Sequence, residues 1–301
     1  MKKYIISTLY AVKKAFMILQ NKWISFVKTP PKVMLIDETI RYILEHKCSV
    51  SRYGDGELWV AIGGSIIYQK KDEKLMQRLQ EVLSSDESKN NHIVTIPDIF
   101  EEKKLQLRTA VNQKFWRGHL DLNRKDWYTF LRKDKQYFNT AISRFYMPIQ
   151  NKECSKLYIS LLKQVWENQD ILIVEGKQSR LGVGNDLFLN CSSVSRITGP
   201  SENAFSKYDV LLETVQKVDK NKLVLIALGP TATVLAYDLH KLGYWAIDLG
   251  NIDIEYEWFK MGVLEPVKIS NKYTHGTKDG NINIEDVNDA TYQKQILFDV
   301  G

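Results

Sequence analysis

Three cysteines in 301 residues are too few and too scattered to organise this chain. Cys48, Cys154 and Cys191 lie far apart with no C-x-x-C pair, which argues against a disulfide framework or a structural zinc site and favours free thiols in a reducing compartment. No apolar run approaches the roughly 20 residues that cross a bilayer. A signal peptide is not expected either: Lys13 and Lys14 interrupt the apolar part of the N-terminal segment, and no small-residue cleavage site follows. The chain has no internal repeat, no low-complexity tract, and neither a G-x-G-x-x-G nor a P-loop glycine pattern.

Acid is missing from residues 1 to 36, which carry Lys2, Lys3, Lys13, Lys14, Lys22, Lys28 and Lys32. Removing those seven from the 42 basic residues leaves 35 against 36 acidic ones, so the net charge of +6 belongs to this segment. The remainder lacks the basic face that a nucleic acid requires, and no nucleic-acid partner is expected. Within the segment, Ile5, Leu9, Val12, Phe16, Leu19, Trp23 and Phe26 recur at steps of four and three, one stripe on a helix with the lysines off it. Such a helix suits an anionic membrane surface through residues 1 to 30. The same spacing makes a coiled-coil seam, so packing on the protein's own body or in a homodimer is the alternative. Pro30-Pro31 ends the helix.

What is present beyond that boundary is an alternation of helix and strand signals. Helices are expected over 37–46, from Leu58, over 72–83, most of 101–147 (with a loop near Gly118), 152–168 and 201–220, and from Pro230 through Gly243. Short apolar strands are expected over 48–53, 92–96, 170–174, 222–228 and 244–247. The near-continuous apolar character of Ile171-Leu172-Ile173-Val174 is that of a strand covered on both faces, as in a parallel sheet. The fold class is therefore α/β, with a mostly parallel sheet flanked by helices. Three regions follow: a basic amphipathic helix (1–35), an α/β domain (36–270), which the resemblance described below makes Rossmann-like and catalytic, and a polar tail (271–301) that covers the surface or is mobile.

Three strand-to-helix junctions carry the chemistry. The first is Arg52-Tyr53-Gly54-Asp55-Gly56-Glu57. Gly54 and Gly56 allow unusual backbone angles and close approach. Asp55 and Glu57 can then converge on a hard divalent cation, while Arg52 offers a fork of donors to phosphate. The second is the loop from Glu175 to Asp186, with Ser179, Arg180, Gly182, Gly184 and Asn185, which should present N–H groups to an anion before a helix at Leu187. The third runs from Gly229-Pro230-Thr231 to Asp248-Leu249-Gly250, with Asp248 at the strand tip where a carboxylate meets a ribose hydroxyl. Asn251 and the acidic cluster of Asp253, Glu255 and Glu257 follow. Asp253 and Glu257, four apart, share a helix face that Glu255 does not; Asp253 or Glu255 could be a metal ligand or base. The aromatics between 115 and 138 fit either an acceptor cleft or, more commonly, a core.

Together these three segments resemble the bacterial glycosyltransferases of the GT-D fold, over roughly residues 36 to 270. The resemblance implies a Rossmann-like domain, a nucleotide-diphospho-sugar donor (a UDP-sugar), and a divalent metal, manganese or magnesium, held by an Asp-x-Glu motif that Asp55 and Glu57 match. It implies donor contacts from Arg52, Gly54, Gly56, Glu175, Ser179, Arg180, Gly182, Gly184, Asn185, Gly229, Thr231, Asp248 and Asn251, with catalytic roles for Asp55, Glu57, Asp253 and Glu255. One departure stands out: the family commonly has histidine after Asp-Leu-Gly, where this chain has Asn251. The expected acceptor is a glycan, glycoprotein or lipid-linked saccharide, and the expected location is the cytoplasmic face of the plasma membrane. The alternatives are a metal-dependent nucleotide-diphosphate hydrolase and a membrane-recruited nucleotide-binding module.

Overall fold

The computed structural model describes residues 2–85, 91–280, 282, 284 and 289–301. Its strands are β1 (Lys32–Val33), β2 (Ser49–Arg52), β3 (His92–Ile96), β4 (Gln136–Asn139), β5 (Asp170–Gly176), β6 (Ser193–Gly199), β7 (Leu223–Ala227), β8 (Ala246–Asp248) and β9 (Ile296–Asp299). Among the described residues they form one sheet in the order β1-β4-β3-β2-β8-β7-β5-β6-β9. Every pairing in it is parallel, as the apolar strand signals require.

The sheet separates two buried layers. One holds Leu58, Leu75, Leu79, Trp116, Trp127 and Leu235, from α3 (Asp55–Ala61), α4 (Glu73–Ser84), α6 (Ala110–Phe130) and α9 (Pro230–Lys241). The other holds Ile40, Ile43, Leu162, Trp166, Ile252 and Trp258, from α2 (Ile36–His46), α7 (Cys154–Val165) with the residue after it, and α10 (Ile252–Met261). Four helices complete the set among the described residues: α1 (Lys2–Val27), α5 (Glu102–Leu105), α8 (Tyr208–Val215) and α11 (Ala290–Gln295).

Several expectations are corrected. The loop expected near Gly118 is helix: α6 continues through it, because Trp116, Leu120 and Trp127 keep one face buried on either side, outweighing about 1 kcal/mol for an interior glycine. No helix starts at Leu187; the chain turns through this region into β6. The helix expected over 201–220 is shorter, a 3-10 turn at Ala204–Lys207 followed by α8. Strands β1, β4, β6 and β9 were not anticipated. Strand β6 escapes a hydrophobic pattern because Arg196 is buried within it, paired to Glu175 at 2.6 Å. Strand β9 brings the polar tail into the sheet, pairing with β6. Helix α1 ends before Pro30-Pro31 as expected. The Ile5 side chain of its predicted stripe lies outside the described residues.

Candidate functional site

Strands β2 and β8 are neighbours at the middle of the sheet. From β2 the chain steps outward to β3 and β4, while β8 sits beside β7 and β5. The chain leaves β2 into α3 on one side of the sheet and leaves β8 into α10 on the other, and in open parallel sheets such a switch opens a crevice beyond the carboxyl ends of the strands. A cavity of about 1250 Å³ lies there, bordered by the segments that leave β2, β5, β7 and β8.

The segment leaving β2 supplies the two carboxylates. Helix α3 starts at Asp55, earlier than the apolar pattern alone suggests, because Glu57 Oε2 accepts the Gly54 N–H at 2.8 Å and closes the first turn. Gly54 is extended, at φ −121°. Its value is space: a Cβ there would lie 3.1 Å from Glu57 Oε2. Glu57 is buried, whereas Asp55 is exposed on the cavity wall. Burial pushes the Glu57 pKa up, Arg52 and the Gly54 N–H oppose this, and Asp55 adds to it. Asp55 makes no hydrogen bond or ion pair among the described residues. Gly56 also lines the cavity.

Arg52, at the end of β2, is positioned from β8. Its Nε lies 3.6 Å from Asp248 Oδ1. Asp248 also accepts from the Thr233 hydroxyl at 3.1 Å and from the Gly250 N–H at 3.0 Å. It is 1% exposed, and burial raises its pKa to about 6 against the opposing pull of Arg52. Asp248 is thus the support behind Arg52. Gly250 adopts φ +47°, and a Cβ on it would stand 2.0 Å from Arg52 Nη2. Glycine there serves both the backbone angle and the guanidinium's approach. On the next loop, Gly229 has φ +56°, and its Cβ would meet the Tyr68 ring at 2.8 Å.

The second junction is arranged differently from its sequence expectation. Ser179 lines the cavity, but two N–H groups of the loop face the protein's own acids, and those of Val183 and Asn185 donate to the loop's own carbonyls. The Leu181 N–H donates to Glu175 and the Gly182 N–H to Asp253. The Asn185 amide donates to both Asp253 and Glu257. Arg180 donates to the Asn271 carbonyl. Gly184 has φ +79° with open space around it. Glu175 is fully buried and paired with Arg196; Thr231 is buried with its hydroxyl unpartnered. Asp253 also pairs with Lys272 at 2.7 Å. Glu255 accepts from the Tyr146 and Met147 N–H groups and pairs with Arg144 Nε at 2.9 Å. As the helical spacing requires, Asp253 and Glu257 share one partner set and Glu255 has another.

The cavity therefore gathers Arg52, Gly54, Asp55, Gly56, Glu57, Ser179, Gly229 and Asn251. The remaining expected residues stand behind this wall. Asn251 Nδ2, Arg52 Nε and the Thr140 hydroxyl are buried without hydrogen-bond partners, and their residues line the cavity, as suits a wall that binds a polar ligand.

Sequence reasoning missed other lining residues. Arg144 borders the cavity and is held by Glu255. Arg108 is 6% exposed, with no ion pair among the described residues and only Asn112 Oδ1 at 3.2 Å; burial lowers its pKa to about 10. Tyr68 stands edge-on to His275, 5.3 Å between ring centres. The His275 pKa is lowered, first by loss of solvent and then by Arg144, with Asp55 opposing. No local pattern marks these residues; their relevance depends on long-range contacts. Of the aromatics weighed between core and cleft, Phe115 and Trp116 reach the cavity, and Trp127 is core.

Comparison with known proteins gives a consistent result. The glycosyltransferase GT-D fold family matches residues 50–277. Glycosyltransferase GlyD of Streptococcus pneumoniae serotype 4 (strain ATCC BAA-334 / TIGR4) is 42% identical over 262 residues, covering 87% of this chain and 32% of that protein. Probable glycosyl transferase Gly of Streptococcus gordonii is 41% identical over 269 residues, covering 89% of this chain and 39% of that protein. The chain thus spans about a third of the first relative's length and about two fifths of the second's. A solved glycosyltransferase from Streptococcus sanguinis, belonging to domain of unknown function 1792, superposes with a TM-score of 0.86 at 41% identity, over 90% of this chain and all of that one.

Proposed function

Because this chain belongs to the GT-D fold glycosyltransferases, we propose that its cavity binds a UDP-hexose through a divalent cation held by Asp55 and Glu57. The sugar passes to an acceptor in cell-surface glycan or glycoprotein synthesis. One observation carries the reading: at the switch point, the unpartnered carboxylate of Asp55 lies one short turn from Arg52 and beside Glu57, in a cavity of sugar-nucleotide size.

The residues fit a metal. Among the described residues no group of three or more His, Cys, Asp or Glu could enclose one. Manganese and magnesium do not need such a cage when they keep water and take substrate phosphate oxygens beside one or two carboxylates. Burial, with a smaller addition from the Asp55 charge, already raises the Glu57 pKa, a cost that a bound cation offsets. When bound, the metal would neutralise the diphosphate and stabilise its leaving charge. The chain's own residues orient the donor. Arg52, fixed by Asp248, faces the phosphates; Arg144, fixed by Glu255, and Arg108 add positive charge to the same wall; Asn251 contributes a free amide donor. Asp253 and Glu255 are positioning residues here, bracing the loop at 180–186 and Arg144.

Thermal denaturation with a panel of nucleotide sugars and manganese tests this. One UDP-sugar should raise the melting temperature by several degrees, and only with metal present. Its turnover should then require an acceptor other than water. No shift with any UDP-sugar would overturn the proposal.

A further inference from the structure

Helix α1 packs on the body by one face and leaves the opposite face bare. The packed face is small and partly polar: Asn21 is 2% exposed, donates to the Asp121 carbonyl at 3.1 Å and accepts the Lys125 N–H at 2.6 Å on α6. Ile24 is buried beside it, and Lys28 sits over the Tyr128 ring at 5.8 Å. On the far side, Leu9, Val12, Phe16, Leu19, Trp23 and Phe26 are between 62% and 85% exposed. At 100° per residue this stripe is centred roughly half a turn from Asn21. A row of six large apolar side chains pointing away from the fold is not core packing, and it is larger than scattered surface apolarity.

We propose that this face lies in an anionic lipid bilayer surface. Charge chooses the occupant. Lys13 and Lys22 are exposed beside the stripe, and residues 1 to 36 hold no acid. A second copy of α1 seated on the stripe would set lysines near lysines with no acid in the segment to pair with them. Anionic headgroups complement them, at about 1 kcal/mol for each lysine near the surface. Trp23 and the two phenylalanines suit the boundary between headgroup and acyl chain. Among the described residues no helix is long and apolar enough to cross a membrane, so α1 lies in the surface plane.

The helix also borders the site. Lys14 and Ile18 line a smaller cavity of about 630 Å³ that shares Asp55, Trp59 and Phe115 with the larger one. A docked α1 therefore sets the Asp55 side of the cavity beside the bilayer. The inference stands whether or not the proposed donor is right, since it rests on α1 alone.

The test is co-sedimentation of the full chain with vesicles of phosphatidylglycerol and phosphatidylcholine, or phosphatidylcholine alone. Binding should be at least about tenfold tighter to the anionic vesicles and should weaken with salt. Trp23→Glu and Phe16→Glu should each reduce it about tenfold, while Lys13→Glu/Lys22→Glu should remove the preference for anionic lipid. All three alter exposed side chains, so an unchanged melting temperature certifies the fold. Vesicle binding that ignores these substitutions would overturn the proposal. So would a full-chain dimer, seen by analytical ultracentrifugation, that Trp23→Glu dissociates while no vesicle binding occurs.

Discussion

Two Asp-x-Glu triplets open helices beyond adjacent strands, and the structure puts them to opposite uses. Asp55-Gly56-Glu57 starts α3 after β2, and Asp253-Ile254-Glu255 starts α10 after β8. In the first, Asp55 is exposed in the cavity without a hydrogen bond or ion pair among the described residues, and Glu57 caps its own helix. In the second, both carboxylates are buried and engaged within the protein, Asp253 with Lys272, Gly182 and Asn185, Glu255 with two backbone N–H groups and, as an ion pair, Arg144. The middle residue contributes: Gly56 puts no side chain into the cavity it lines, whereas Ile254 is 2% exposed and anchors the second in the core. An acidic motif acquires chemistry from what is left unpaired around it, and spacing alone does not decide that.

Substitutions can break this comparison. Asp55→Ala or Glu57→Ala should lower sugar transfer by at least about a thousandfold, as expected when a group that stabilises the leaving charge is lost, with the far-UV spectrum unchanged; transfer retained at the wild-type rate in both variants would erase the distinction. Asp253→Ala should do the reverse. It leaves the buried Lys272 with Glu257 as its remaining acid and should cost about 3 kcal/mol in denaturant unfolding, while transfer per folded molecule stays within about tenfold. A smaller effect is expected from Gly250→Ala, whose new methyl collides with Arg52: UDP affinity measured by calorimetry should fall about tenfold, corresponding to about 1.4 kcal/mol.

The gentlest probe is pH. Asp248 carries a pKa raised to about 6 by burial. Between an ordinary carboxylate pKa of about 4 and that value, the folded chain holds a proton that the unfolded chain has released. This group's contribution to stability therefore declines as pH rises through the window. Donor binding should run the other way, weakening a few-fold as pH falls through about 6, because neutral Asp248 loosens Arg52. UDP titrations at pH 5 and pH 7.5 check this, and Asp248→Asn should flatten the dependence.

Much of the fold was legible because β2, β3, β5, β7 and β8 are short, apolar and parallel, with turn residues at their ends. Arg52, Asp55 and Glu57 were legible for the same reason: local chain geometry places them at a strand end. Strand β6 was hidden by a buried ion pair between Arg196 and Glu175, two residues far apart in sequence. The loop at 180–186 shows the limit most clearly. Its glycines and basic residues fit an anion site, and two of its N–H groups do bind carboxylates, but those of Glu175 and Asp253 within the protein. Arg144, Arg108, Tyr68 and His275 come to the cavity through tertiary packing, which no local pattern encodes.

The most direct test is a crystal grown with UDP and manganese, with the metal located by its anomalous signal. The account predicts a single peak within coordination distance of Asp55 and Glu57 and of the UDP phosphates. A peak at Asp253 and Glu255, or UDP bound in the cavity with no metal beside Asp55, would contradict it.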